Sequence, residues 1–334
     1  MPVVKTLTLT LTALGVPVLS ALGVPLLTAE EATLPAPDTA GWRADAATLG
    51  LDPATASPRE VAEFFAALSP AQRTALAVRH PEVVAALDGA PASLRFTATS
   101  ALRRSADQRT FLAYDPAGDG RAIEVVGDLA NARRIVVIVP GSDTTLADFD
   151  RGLGGVARRA PAVQARTVAD AVDDPGTAVV AWLGYDPPEG FGKAAVREDR
   201  AEAGAAALTK FVEGLAVTNP AAKVILVGHS YGTVVIGLAA PHLGPTVTDI
   251  AVLASPGLGD GFHTTARLWA ARADSDWIGW IPGIRVAGLG HGADPTGDAY
   301  GARLLPTGNV DGHDGYLVPG SLTLVALAEV IRNA

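Results

Sequence analysis

Five consecutive residues, Gly228-His229-Ser230-Tyr231-Gly232, constrain this chain more than any other feature. The run 223–227 before them is continuous and apolar, which predicts a buried strand, and 233–240 after them predicts a helix. The pentapeptide fits Gly-x-Ser-x-Gly, the sharp strand-to-helix turn that lifts a serine hydroxyl above the end of a sheet. Glycines on either side let the backbone pass without a clash. A serine hydroxyl is a poor nucleophile until a base takes its proton and a third group orients that base. The rest of the chain is therefore read for a histidine and a carboxylate.

The surrounding pattern supplies the sheet that such a turn needs. Residues 110–114 and 121–126 read as two strands joined by the turn Asp115-Pro116-Ala117-Gly118-Asp119-Gly120, a hairpin signal. Residues 134–139 form an apolar run of the kind a strand buried on both faces shows, and 178–183, 223–227, 249–253 and 266–271 repeat it. Helical stretches lie between them, one marked by Leu208, Phe211, Val212 and Leu215 at helical spacing, and 321–332 closes the chain as a helix. A hairpin followed by alternating strands and helices predicts an α/β fold, a mostly parallel central sheet with helices on both faces. The serine then falls at the carboxyl end of a central strand, where ligands bind in such sheets.

Ahead of the sheet, 57–105 reads as helical. Ser57 is a candidate N-cap with Pro58 at the first helical position and Glu60 completing a capping box. Ser69-Pro70 and His80-Pro81 restart helices, and 92–104 is one more. These helices are candidates to cover the site. The domain reading is a possible signal, anchor or mobile extension over 1–30, a linker and helical segment over 31–108, and the catalytic domain over 109–334.

Of 334 residues 49% are hydrophobic and only 18% charged, enough for a large core. The net charge of −9 argues against a nucleic-acid partner, which would need a basic stripe. With no cysteine, disulfides, thiolate metal sites and a cysteine nucleophile are excluded. No dinucleotide or P-loop glycine pattern occurs, and neither His291-x-x-Asp294 nor His313-Asp314 has a zinc-site spacing, so no cofactor and no metal are expected. Lys5 followed by an apolar stretch over 7–27 and a small residue, Ala29, has the layout of an export signal, though Pro17 and Pro25 interrupt it. Export or N-terminal anchoring and a cytoplasmic protein with an N-terminal extension stay equally open. Membrane contact is expected only through that terminus, if it is retained.

Six histidines are available as the base. His229 lies within the turn and should point away from the neighbouring hydroxyl. His80, His242 and His263 lie in the helical block, at the end of the helix after Ser230, and just beyond the sixth strand. Where this turn carries a triad, the acid and then the histidine follow the serine in chain order. His313, between the last strand and the closing helix, meets that order; His291, in Gly288-Leu289-Gly290-His291-Gly292-Ala293-Asp294, is the alternative, or shapes the pocket. The strand ending near Ala271 leads to Asp274 and Asp276, of which Asp276 is preferred as the acid. Two backbone N–H groups must meet the developing oxyanion. One is assigned to Tyr231, the other to Ser142 or Asp143 in the loop that opens Val139-Pro140-Gly141. Trp182-Leu183-Gly184-Tyr185 is placed at the pocket rim, with core packing as its other reading.

The chain resembles the α/β-hydrolase superfamily, and within it a family of unknown function common in high-GC Gram-positive bacteria. The resemblance rests on Ala67-Leu68-Ser69-Pro70-Ala71-Gln72-Arg73 with Leu87-Asp88-Gly89-Ala90-Pro91, and on the segments 139–141, 182–185, 227–232, 288–294 and His313-Asp314-Gly315-Tyr316, in that order along about 60–320. It implies Ser230, Asp276 and His313 as the triad and leaves the substrate unassigned. The expected function is hydrolysis of a carboxylic ester or related acyl bond in a small or lipid-like substrate. Acyl transfer by the same triad and a non-catalytic scaffold that keeps the fold are the alternatives.

Overall fold

The computed structural model describes residues 39–103, 105, 107–190, 198–280 and 290–334. The apolar stretch 7–27, the first part (30–38) of the expected linker, and Gly288-Leu289 of the His291 segment lie outside the described residues.

The N-terminal layer holds α1 (Ala40–Ala44), α2 (Pro58–Ala67), α3 (Pro70–Arg79), α4 (Pro81–Ala86) and α5 (Ala92–Arg103). Both serine caps form full capping boxes. Ser57 accepts from the Glu60 N–H while Glu60 accepts from the Ser57 N–H, and Ser69 and Gln72 repeat the exchange. Proline opens α2, α3 and α4, where its missing N–H would have had no helical partner anyway. The apolar faces of these helices converge on a core of their own, built around Trp42, Val61, Phe65, Leu76 and Val84.

The sheet follows. Its strands are β1 (Thr110–Asp115), β2 (Arg121–Val126), β3 (Arg134–Val139), β4 (Thr177–Leu183), β5 (Lys223–His229), β6 (Val247–Leu253), β7 (Arg267–Ala271) and β8 (Arg303–Leu304), in the spatial order β1-β2-β4-β3-β5-β6-β7-β8. The pairs β1–β2 and β2–β4 are antiparallel and the rest parallel. The helices between and after the strands are α6 (Pro161–Val172), α7 (Asp199–Thr218), α8 (Gly232–Ala239) and α9 (Leu322–Arg332).

The apolar run of β3 has the physical cause expected of it. Ile135, Val137 and Val139 enter one core with α7 and α8, while Val136 and Ile138 enter another with α6 and α9. A strand covered on both faces has no polar side to show. Because β3, β4, β5 and β6 run parallel, their carboxyl ends open on one rim, and the register sets Val139 beside Gly228. Two elements departed from expectation. Strand β8 is two exposed residues long, too short to leave a periodic signal. Trp182 and Tyr185 are buried in the core, at 1% and 2% exposure, not at a pocket rim.

Candidate active site

The turn after β5 takes the form its glycines allow. Ser230 sits at φ +53°, a left-handed conformation that side chains other than glycine's seldom adopt. The Ser230 N–H donates to the Leu253 carbonyl at 2.9 Å, and the Thr233 hydroxyl donates to the Ser230 carbonyl at 2.7 Å. A Cβ on Gly232 would stand 2.4 Å from the Val139 carbonyl oxygen, so only glycine lets α8 start this close to the end of β3. The backbone is held bent, and the hydroxyl is delivered to the rim.

Three side chains from distant parts of the sequence meet there. His313 Nε2 lies 2.9 Å from Ser230 Oγ, and His313 Nδ1 lies 2.8 Å from Asp276 Oδ1. Asp276 is 3% exposed. Its Oδ1 also accepts from the Ile278 N–H at 2.9 Å, and its Oδ2 accepts from the Tyr316 hydroxyl at 2.6 Å. Burial pushes the Asp276 pKa up, but the hydrogen bonds from His313, Tyr316 and the Ile278 N–H outweigh it, and the carboxyl is held below its ordinary value. Asp274 is exposed on the same loop. His291, the alternative base, is buried under the turn, its ring edge-on to Tyr231 at 5.5 Å and its Nδ1 3.6 Å from Glu198 Oε1.

The loop after β3 closes over the serine. A Cβ on Gly141 would come within 2.8 Å of Ser230 Cβ, so glycine is what brings this loop against Ser230. The two residues weighed as second oxyanion donor separate here. The Asp143 N–H donates to the Pro188 carbonyl at 3.0 Å, and the Asp143 carboxylate accepts from the Gly190 N–H at 2.6 Å. Asp143 is thus committed to the 188–190 loop and has no N–H to offer an oxyanion. The Ser142 N–H has no acceptor among the described residues.

Several supporting residues were not singled out as such in the sequence. His229 does leave the serine hydroxyl alone, but its Nε2 donates to the His313 carbonyl at 2.6 Å and the two rings lie 4.9 Å apart. Burial lowers the His229 pKa to about 4, with His313 adding to the effect, so the ring is neutral near pH 7. Trp277 lies against the His313 ring, centroids 4.5 Å apart. The Ser275 hydroxyl accepts from the Gly312 N–H at 3.0 Å and donates to the Val310 carbonyl at 3.2 Å, tying the acid loop to the histidine loop. Arg159 Nε meets Asp314 Oδ2 at 2.5 Å, anchoring the other side of His313. Tyr185 donates to the Pro140 carbonyl at 2.7 Å, which fixes the start of the glycine loop from within the core. For His229, Ser275, Trp277 and Asp314 the sequence signal was adjacency to a candidate residue; Arg159 carried none, and Tyr185 was expected at a pocket rim.

A nucleophile turn on the fifth strand of such a sheet, facing a histidine and a buried aspartate, defines the α/β-hydrolase class. The chain belongs to an alpha/beta hydrolase family, whose model matches residues 115–286. It is similar to the uncharacterized protein Rv2079 of Mycobacterium tuberculosis, 30% identical over 255 residues, covering 65% of this chain and 38% of that protein. It is also similar to the uncharacterized protein Mb0988c of Mycobacterium bovis, 33% identical over 157 residues, covering 44% of this chain and 58% of that protein. The chain thus spans well under two thirds of the length of these relatives. These mycobacterial relatives agree with the resemblance drawn from sequence to a family common in high-GC Gram-positive bacteria. Among solved structures it is similar to esterase PE8, at 17% identity and a TM-score of 0.42, covering 63% of this chain and 96% of that one. A second is XC6422 from Xanthomonas campestris, a serine hydrolase without a lid, at 14% identity and a TM-score of 0.40, covering 69% of this chain and 94% of that one. Family membership supports a hydrolase.

Proposed function

We propose that this protein is a serine hydrolase that cleaves a carboxylic ester through an acyl-enzyme. The observation that carries the reading is the unbroken chain from Ser230 Oγ through both nitrogens of His313 to a buried carboxylate, with separations of 2.9 and 2.8 Å. In this reading His313 Nε2 takes the proton from Ser230 as the hydroxyl attacks the ester carbonyl, and returns it to the departing alkoxide. Asp276 holds the tautomer with Nδ1 protonated and stabilises the imidazolium, without taking the proton itself. The N–H groups of Tyr231 and Ser142 receive the oxyanion, and water then resolves the acyl-enzyme by the same steps in reverse. An ester is favoured over an amide because an alkoxide leaves more readily than an amine. A small or lipid-like acyl group is the expected substrate.

The test is labelling with a fluorophosphonate probe together with a chain-length series of p-nitrophenyl esters. Wild type labels and turns over an ester; Ser230→Ala does neither while keeping its melting temperature. Asp276→Asn leaves the fold intact and lowers kcat by about a thousandfold or more. A well-folded wild type that neither labels nor hydrolyses any ester of the series would replace this reading with that of a non-catalytic protein.

A further inference from the structure

A second cavity, of about 470 Å³, lies between the N-terminal helical layer and the sheet. It opens among α4, the antiparallel strand β2, the end of β4 and the middle of α7, and none of its lining residues belongs to the Ser230 centre. Its volume is that of a small-ligand site. Leu87, Ile123 and Phe211 give it an apolar wall.

Its charged lining is mainly cationic, Arg43, Arg95, Arg121 and Lys210 against the one carboxylate of Asp88, and two of its buried donors lack partners. Trp182 is 1% exposed, and its Nε1 is buried with no acceptor among the described residues. A Cβ at Gly184 would stand 2.7 Å from that nitrogen, so glycine keeps the space beside the N–H clear. Arg121 Nε is likewise buried without an acceptor, and its guanidinium forms no ion pair among the described residues. Burial opposes the Arg121 charge most and Arg95 adds to that, while Asp88 and Asp115 act the other way. Neither carboxylate closes a bridge to it. Asp88 is instead paired with Arg95 at 2.8 Å, and Arg95 Nε is spent on the Ala85 and Leu112 carbonyls. Lys210, half-exposed on the wall, makes no ion pair among the described residues. A guanidinium stays protonated in proteins, and a charge withdrawn from water without a partner is costly. An indole N–H buried without an acceptor carries a penalty of the same origin. In a chain of net charge −9, a cavity lined by four cationic side chains against one carboxylate, with two orphan donors, is not a sample of the average surface.

We propose that this cavity binds a small organic anion, its carboxylate or phosphate head on Arg121, Lys210 and the Trp182 N–H and its apolar body against Leu87, Ile123 and Phe211. The site stands independently of the chemistry proposed at Ser230. It has a physical connection to that centre, since Trp182 stacks on Tyr185 with centroids 6.0 Å apart and Tyr185 holds the Pro140 carbonyl.

The experiment is isothermal titration calorimetry of the full chain with hexanoate, phenyl phosphate and inorganic phosphate at low salt, alongside thermal unfolding in the same solutions. Wild type should bind hexanoate or phenyl phosphate saturably and more tightly than inorganic phosphate, because only the organic anions use the apolar wall. Preference between the first two identifies the head group. Arg121→Gln should weaken binding about tenfold or more, and Trp182→Phe, which keeps the ring and removes the N–H, should weaken it several-fold. Ser230→Ala should bind as wild type does. The anion should raise the Tm of wild type and not that of Arg121→Gln, whose own Tm without anion should equal or exceed wild type. Should Arg121→Gln fail to fold, Trp182→Phe carries the test alone. Absence of saturation by any of the anions at tens of millimolar overturns the proposal. So does binding that survives undiminished in the variants, since the ligand would then lie elsewhere.

Discussion

At the scale of single residues, the site depends on groups outside the Ser230–His313–Asp276 chain itself. His229 is the clearest. It ends β5, precedes Ser230, and donates across the rim to the carbonyl of His313. Its ring is neutral near pH 7 because burial lowers its pKa to about 4 from 6.5. Between those two values the unfolded chain binds the proton and the folded one does not. Stability therefore rises with pH through that window and is complete above it. The buried Asp276, whose pKa is also lowered, contributes in the same direction at more acid pH. Urea unfolding of wild type should lose up to about 3 kcal/mol on going from pH 7 to pH 4. In His229→Gln, whose amide can still donate to the His313 carbonyl, that loss should shrink markedly. An equal pH dependence in both proteins would mean that His229 is not the group being titrated.

Among the elements, strands β6 and β7 are joined by more than their ladder. Asp249, fully buried in β6, accepts from Arg267 at 2.8 and 2.7 Å and from Trp269 Nε1 at 2.9 Å, both on β7. These strands carry the acid loop, which begins two residues beyond Ala271. Arg267 is half-exposed and reaches in from solvent, so removing it leaves the buried Asp249 carboxylate with only the Trp269 N–H. Arg267→Met should therefore cost about 2 kcal/mol, read as a lower urea midpoint with unchanged slope. The double variant Arg267→Met with Asp249→Leu should recover much of it, and failure to recover would show that the pair is not the source of the loss. The helices of the N-terminal layer rest on more local chemistry. Ser57→Ala removes one half of a capping box and should cost about 1 kcal/mol.

Across the whole molecule, the helical layer and the sheet are bonded to each other. Arg95 on α5 donates to the Leu112 carbonyl at 3.1 Å, and Thr99 donates to the Phe111 carbonyl at 2.5 Å, both on β1. A Cβ on Gly214 of α7 would meet the Gly89 nitrogen at 2.8 Å, so the layer also seats tightly on α7. The division at 108 expected from sequence falls between two layers that bond to each other, and they are expected to unfold together. Unfolding followed by far-UV circular dichroism and by tryptophan fluorescence should give one coincident transition. Phe65→Ala, in the core of the helical layer, should move both probes together and cost about 3–5 kcal/mol. Two separated transitions would show that the layer folds on its own.

Much of this was legible in the sequence wherever the signal was local or depended on order. The capping box at Ser57 lies within four residues and needs nothing else, and the helix restart at Ser69-Pro70 proved to carry a second one. The buried strands announced themselves because a strand covered on both faces has no polar side. Ser230 was legible from a strand, a glycine turn and a helix in succession, and His313 and Asp276 from their order behind it. What the sequence could not decide was where backbone donors and buried rings would end up. The choice between Ser142 and Asp143 turns on a bond from the Asp143 N–H to Pro188, forty-five residues away. Trp182 and Tyr185, read as rim, became core because α7 folds over them. Periodicity and order are properties of the chain and are fixed before it folds. Distances across loops are properties of the packed sheet, and they exist only once the strands have brought the loops to one edge.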